Sequence, residues 1–123
     1  MGKPHWWEKT KSEVRDMLIL QVKNSDDLLT YGQVCDNLDN APFEPGYNVF
    51  HGLLGEISWE EHEAGRPLLS VIVVNQETMM PGGGLIKLAE GCGFDVTDPD
   101  AWWLAEVIRL RGFWRDPANK DVR

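Results

Sequence analysis

The four residues Glu60-Glu61-His62-Glu63 combine one imidazole with three carboxylates. Imidazole beside carboxylate is the usual equipment of metal centres and of general acid–base sites. On a helix, however, adjacent residues point about 100° apart, so Glu61 and His62 cannot hold one ion from a single face. We therefore predict a solvated helix face and no metal site. The best pair for acid–base chemistry is His62 with Arg66, since residues four apart are neighbours on a helix.

The remaining histidines do not complete a catalytic set. The sequence has neither a His-x-x-x-His nor a His-Glu-x-x-His spacing. His51 falls in a predicted helix, where partial burial explains it without a ligand. Because no nucleophile, base and orienting group occur together, we predict no catalytic residue and no cofactor.

The glycine run Gly82-Gly83-Gly84 follows Pro81 and precedes a predicted helix. Backbone N–H groups at a helix N-terminus can bind an anion, which makes these three glycines a candidate anion site. A Walker loop would also need Gly-Lys-Ser/Thr, and a dinucleotide loop would need Gly-x-Gly-x-x-Gly. Neither is present, and Lys87 is the only cation nearby. The pattern favours a flexible turn, with anion binding as the second interpretation.

Tryptophan is abundant, with six residues in a chain of 123, and four of them form the adjacent pairs Trp6-Trp7 and Trp102-Trp103. Two adjacent helical residues cannot both face one core stripe. We therefore expect one member of each pair at the surface, where exposed aromatics mark partner contacts. The alternative is that terminal segments fold back and bury both.

The net charge of −8 is distributed unevenly along the chain. Between Tyr31 and Gly65 there are seven acidic residues and no lysine or arginine, while the basic residues lie near both ends. Binding to nucleic acid depends on clustered cations that neutralise phosphates. The pattern therefore predicts a protein partner with a basic surface, or self-association, and makes a nucleic-acid partner unlikely.

Length and composition are typical of one globular domain over residues 1–123. The start of the chain lacks the basic and apolar regions of a signal peptide, and no apolar run reaches the about 20 residues that span a bilayer. The two cysteines, Cys35 and Cys92, are too few for a disulfide framework. We expect a cytoplasmic protein with no membrane association.

Hydrophobic periodicity in the first half predicts a helix from about 7 to 23 and a short strand at 28–30. Thr30 and Gln33 have capping-box spacing and open a helix over 31–38. Turns follow at 39–42 and 44–46, and a third helix carries Val49 and Ile57 on its apolar face. Ser58 and Glu61 repeat the capping-box spacing, which predicts a separate acidic helix.

In the second half, Gly65 is predicted to close the acidic helix in a left-handed conformation. The β-branched segment 68–74 reads as a buried strand, with 28–30 or 76–80 as its partner. A short helix follows over 85–90. Asp98-Pro99 then starts the last helix, with Val107, Ile108 and at least one of Trp102 and Trp103 directed inward.

Two stretches resemble known families. Thr30-Tyr31-Gly32-Gln33-Val34 resembles a segment of alkyltransferase-like winged-helix proteins, but the Pro-Cys-His-Arg motif that carries their reactivity is absent. The pattern Gly-Arg-Pro-Leu-Leu-Ser at 65–70, with Val-Val-Asn at 73–75 and Pro-Gly-x-Gly at 81–84, resembles a family of small uncharacterised bacterial proteins. Together with the element order, these resemblances imply an α+β fold with a winged-helix-like core, a short sheet and extra C-terminal helices.

Three functions remain open on the sequence alone. The leading hypothesis is a non-catalytic acidic protein-interaction module, such as a regulator, an immunity-type inhibitor or an anti-defence factor. Its candidate functional surface consists of Glu60, Glu61, His62, Arg66, Trp102 and Trp103. The second is a winged-helix DNA-binding protein that compensates for its acidic middle with the basic termini or by oligomerising. The third is a small enzyme that uses His62, Arg66 and the neighbouring carboxylates.

Overall fold

Helices dominate the computed structural model, which describes residues 2–38, 43 and 48–123. The described part is a mostly helical α+β structure with a single small sheet, which confirms the fold class at that level. The predicted turns at 39–42 and 44–46 lie outside the described residues. In chain order the elements are α1 (Trp7–Asn24), β1 (Leu29–Thr30), α2 (Tyr31–Asp36), α3 (Asn48–Glu63), a 3₁₀ turn (Leu69–Ile72), β2 (Val73–Val74), α4 (Gly83–Gly91), α5 (Pro99–Arg115) and a second 3₁₀ turn (Pro117–Asn119).

The sheet is a parallel pair in which Leu29 lies opposite Val73 and Thr30 opposite Val74. This confirms β1 as the strand partner of the segment that follows α3. Parallel strands need a long crossover connection, and here α2 and α3 supply it.

The core is built around residues 68–74, every one of which is buried. Helices α1, α3 and α5 all pack against the 3₁₀ turn within this segment. The prediction of a buried strand was therefore right about burial and wrong about conformation at 69–72. With helices on its sides, this stretch has no neighbouring strand to pair with until Val73.

Helix α3 runs without a break through Ser58, so the prediction of a separate acidic helix was wrong. The Ser58 hydroxyl does not cap a helix, because it accepts a hydrogen bond from the Ser70 backbone N–H at 3.0 Å. Val49, predicted to face inward on the same helix, is exposed.

Three predicted helix ends are confirmed. Thr30 and Gln33 form the reciprocal hydrogen bonds of a capping box at the start of α2. The Asp98 carboxylate accepts from the Ala101 backbone N–H at 3.2 Å at the start of α5. Gly65 adopts φ +77°, and the Arg66 N–H returns to the Glu61 carbonyl, as in a Schellman motif.

Arginines of α5 fasten the C-terminal end of α1. The Arg115 guanidinium donates to the carbonyls of Val22 and Ser25 and to the Asp26 carboxylate, and Arg111 donates to the Asp26 carbonyl. Hydrogen bonding to Arg115 and the charges of both arginines lower the pKa of Asp26. Arg115 therefore satisfies one of the last carbonyls of α1, and both arginines hold the segment that follows the helix.

Candidate functional site

Glu61 lies in the interior, with only 1% of its surface exposed. Its carboxylate accepts from Arg15 Nε of α1 at 2.5 Å and from the Arg66 guanidinium on its other side. The interpretation of Glu61 as a surface residue was therefore wrong. No local pattern indicates this burial, because Arg15 is 46 residues away along the chain.

Arg66 also does not pair with His62 as predicted. Helix α3 ends at Glu63 and the chain turns at Gly65, so helical i, i+4 spacing no longer applies to Arg66. The guanidinium turns back to Glu61 instead. The acid–base pair that the sequence suggested is not assembled.

Glu60 and Glu56 share one ammonium group supplied by α1. The buried Lys11 Nζ lies 2.9 Å from Glu56 and 3.1 Å from Glu60, and Glu8 completes the cluster. Burial lowers the pKa of Lys11, but hydrogen bonds to the three carboxylates outweigh it, so this pKa is raised above its ordinary value. The bond from Lys11 in turn lowers the pKa of Glu56. The acidic stretch is thus partly neutralised by a helix outside it.

His62 belongs to a row of aromatic rings. Its ring lies 6.1 Å from Trp59 and 5.7 Å from Phe94, whose ring is 5.6 Å from Trp102. The Arg109 guanidinium lies over the Phe94 ring, 5.7 Å from its centroid. The row extends from the exposed Trp59 on α3 to the buried side of α5.

Trp102 and Trp103 are both buried, so the expectation that one of them is exposed was wrong. The Trp103 indole N–H donates to the Val71 carbonyl at 2.7 Å, while Trp102 is covered by Phe94 from the loop before α5. Two neighbours can both be buried because α5 is covered over a wide arc. Ile108, predicted to face inward, is exposed instead. In the other pair Trp7 is buried, and Trp6 is half-buried with its ring 5.7 Å from that of Phe43.

The glycine run starts α4, which begins at Gly83 with Gly82 as its N-cap. The Gly82 N–H donates to the Tyr31 hydroxyl at 2.9 Å, so this donor is already occupied. Gly82 and Gly84 line a cavity of about 100 Å³, and Gly82 also lines an adjoining one of about 430 Å³. Anion binding here stays a prediction.

The same cleft holds one histidine. His51 lines both cavities, and its ring centroid lies 4.7 Å from that of Tyr31. Partial burial lowers the pKa of His51 below its ordinary value. The contact between Tyr31 and Gly82 joins residues 51 apart, which no local pattern could have indicated.

Within residues 2–38, 43 and 48–123, no three His, Cys, Asp or Glu side chains are grouped closely enough to hold a metal ion. The described helices include none with the length and hydropathy needed to cross a membrane. Comparison with protein-family models, curated proteins and solved structures finds no match to this chain.

Proposed function

We propose that this protein is a non-catalytic, acidic protein-interaction module that binds a basic segment of a partner protein through the outer face of α3. Such a module would act as a regulator, an immunity-type inhibitor or an anti-defence factor, according to its partner. The observation that carries the proposal is Trp59, which is 41% exposed on the side of α3 opposite the buried Ile57. Tryptophan combines a large, rigid contact area with strong enrichment at binding hot spots.

The space beside Trp59 is open. Gly55 and Gly52 lie four and seven residues before it, on the same side of the helix. A Cβ atom at either glycine would meet no atom within 4 Å. A side chain from a partner can therefore lie against the α3 backbone and reach the indole ring.

Carboxylates flank this open strip. Glu56 and Glu63 lie three residues before and four residues after Trp59, so both border the indole. Glu56 is bonded to Lys11, whereas Glu63 forms no ion pair within the described part of the chain. An arginine that stacks on Trp59 could also pair with Glu63, since a guanidinium suits both an aromatic face and a carboxylate.

Net charge supports a basic partner. At −8, the protein attracts cationic surfaces and speeds their association at low salt. The cations of α1 that face the acidic stretch, Lys11 and Arg15, are engaged with Glu56, Glu60 and Glu61. They add little attraction for phosphates.

The DNA-binding and enzyme hypotheses receive less support. A winged-helix-like arrangement of α1, α2 and α3 stays part of the proposal, but a parallel strand pair offers no hairpin to serve as a wing. Arg111 and Arg115 are bonded to the end of α1 and to Asp26. The enzyme hypothesis needs His62 beside Arg66, which is bonded to Glu61 instead.

Titration with a short arginine-rich peptide, followed by NMR of the indole N–H signals, tests the proposal. A Trp59→Phe variant assigns the Trp59 signal. We expect this signal to move and saturate with the arginine peptide, and to stay in place with an acidic peptide at the same ionic strength. If the arginine peptide moves none of the indole signals, or moves all of them except that of Trp59, the proposal is wrong.

A matched pair of variants locates the contact. Glu63→Gln and Asp16→Asn each remove one negative charge, but Asp16 is exposed on α1, in a groove lined by α1 residues and Asn37. We expect Glu63→Gln to weaken peptide binding several-fold and Asp16→Asn to leave it nearly unchanged. Equal effects would mean that net charge alone attracts the peptide.

A further inference from the structure

Helix α5 is apolar on its outer face as well as on its buried face. The inner face packs into the core, as expected for a helix of a small domain. The outer face is exposed along its whole length, and its two large members, Leu104 and Ile108, are 55% and 68% exposed. We call this outer face the α5 stripe: Ala101, Leu104, Ala105, Ile108 and Gly112.

The α5 stripe departs from the pattern of a solvated helix. Its members recur at spacings of three and four residues, which places them within one sector of about 100°. Acidic and basic residues border this sector at both ends, yet no charge falls between Ala101 and Ile108 within it. A helix that is apolar on two sides normally has a second partner.

The charges beside the stripe are arranged to complement themselves. Asp100 and Arg111 are eleven residues apart, so they differ by only about 20° around the helix and flank the stripe on the same side. Along the axis they are separated by about 16 Å, too far to pair within one helix. The midpoint of Asp100 and Arg111 lies between residues 105 and 106. The midpoint of Leu104 and Ile108 is residue 106, so the two pairs share nearly the same centre.

We propose that a second copy of this chain packs on the α5 stripe, with the two α5 helices antiparallel about a two-fold axis near residue 106. In that arrangement Leu104 of each copy meets Ile108 of the other. The same axis brings Asp100 of each copy beside Arg111 of the other, twice. A parallel arrangement would instead place Asp100 of one copy beside Asp100 of the other.

The small residues of the stripe support this packing. Ala101, Ala105 and Gly112 let two helix backbones approach closely, and antiparallel helices also align their dipoles favourably. Arg111 already donates one N–H to the Asp26 carbonyl and its Nε lies 3.8 Å from the Asp26 carboxylate, but a guanidinium has five N–H donors, which leaves others for Asp100 of the second copy.

The contact predicted is modest in size. One pair of helices buries less than the roughly 800 Å² per partner of a standard interface, so the dimer should form in a concentration-dependent way. It uses a different helix from the Trp59 surface on α3 and does not depend on the function proposed for that surface. A negative result for one surface therefore does not count against the other.

Sedimentation velocity over a wide concentration range tests the dimer. We expect a monomer–dimer equilibrium for the native chain and about a hundredfold weaker association for Ile108→Lys. Leu20→Lys is the matched control, because Leu20 is 63% exposed on α1 and undergoes the same substitution. A native chain that stays monomeric, larger open assemblies, or equal loss in both variants would overturn the proposal.

Charge exchange tests the orientation. Asp100→Arg and Arg111→Asp should each weaken dimerisation about tenfold, and the double variant should recover most of the loss at low salt. Because these residues cannot pair within one helix, recovery requires contact between copies. Thermal unfolding of each variant separates a folding defect from an interface defect. Lack of recovery in a double variant that folds normally would exclude the antiparallel arrangement.

Discussion

The hydroxyl oxygens of Ser58 and Ser70 lie 2.6 Å apart in the core, and Ser58 Oγ also accepts the Ser70 backbone N–H. This contact joins the middle of α3 to the 3₁₀ turn at the centre of the fold. Both side chains are buried, so a group that loses its partner here cannot form a hydrogen bond with bulk water instead. The two hydroxyls are therefore unequal. Ser58 Oγ is bonded to two groups of Ser70, its backbone N–H and its hydroxyl, whereas Ser70 Oγ is bonded to one group of Ser58, its hydroxyl.

The first prediction follows from this inequality. Ser58→Ala should reduce the free energy of unfolding by about 1–3 kcal/mol, because it leaves the Ser70 N–H and hydroxyl unpaired in the core. Ser70→Ala should cost less, since its own backbone N–H keeps Ser58 Oγ as acceptor. Urea unfolding of both variants measures the difference. Equal losses would contradict the finding that Ser58 Oγ accepts from the Ser70 backbone N–H.

The second prediction concerns the buried carboxylate of Glu61. Glu61→Gln removes the charge that balances Arg15 and Arg66, and breaking a buried ion pair costs about 3–5 kcal/mol. We expect the lower part of this range, because both arginines retain partial exposure to water. Glu60→Gln, one position earlier and half exposed, should cost less than about 1 kcal/mol. Chemical denaturation of Glu61→Gln and Glu60→Gln measures the two losses, and similar unfolding midpoints would contradict this prediction.

The third prediction separates the two buried tryptophans. Replacing either Trp102 or Trp103 with alanine should cost about 3–5 kcal/mol, because both fill the core. Phenylalanine distinguishes them. Trp103→Phe deletes the donor to the Val71 carbonyl, whereas the Trp102 N–H is buried without a hydrogen-bond partner among the described residues. Trp102→Phe should therefore be the milder change in a thermal unfolding experiment, and the opposite order would count against the packing described.

The fourth prediction concerns pH and the Lys11 cluster. The bond from Lys11 lowers the folded-state pKa of Glu56, so the stability it contributes is present above the unfolded pKa of about 4.3 and is lost as pH falls through the lower folded value. The pKa of Lys11 is raised, so its contribution is present below the unfolded value of about 10.4 and is lost only at higher pH. Stability from this pair should change little between those limits.

Lys11→Met tests the acid limb. The variant should be less stable at neutral pH and should lose less further stability than the native chain as pH falls below about 4.3. Lys9→Met is the control, because Lys9 is exposed on the same helix and removes the same charge. Unfolding midpoints measured across the acid range report both effects, and parallel curves for native chain and Lys11→Met would rule out the coupling.

Local signals in the sequence determined the helix ends well. The Thr30–Gln33 capping box, the Asp98 N-cap and the left-handed Gly65 depend on hydrogen bonds within a few residues, so residue type and spacing suffice to predict them. The apolar periodicity of α1, and the burial of residues 68–74, follow in the same way from hydrophobicity along the chain.

Ser58 shows where local reasoning fails. Its capping-box spacing with Glu61 is as good as that of Thr30 with Gln33, yet Ser58 lies inside a continuous helix and its hydroxyl is bonded to Ser70. The same holds for the candidate surface. A polar helix face and one exposed tryptophan were expected there, but Glu61 and Trp102 are buried, and Arg15 and Phe94, which belong to other elements, pack against them.

The sequence by itself determined the helical α+β class, three helix ends and the buried central segment, because each depends on interactions between near neighbours. Only the tertiary structure decided which charged and aromatic residues face water. Burial and charge compensation depend on partners far apart in the chain, as Lys11 with Glu56 and Trp103 with Val71 illustrate. That dependence buries Glu61, Trp102 and Trp103 and leaves Trp59, Leu104 and Ile108 exposed.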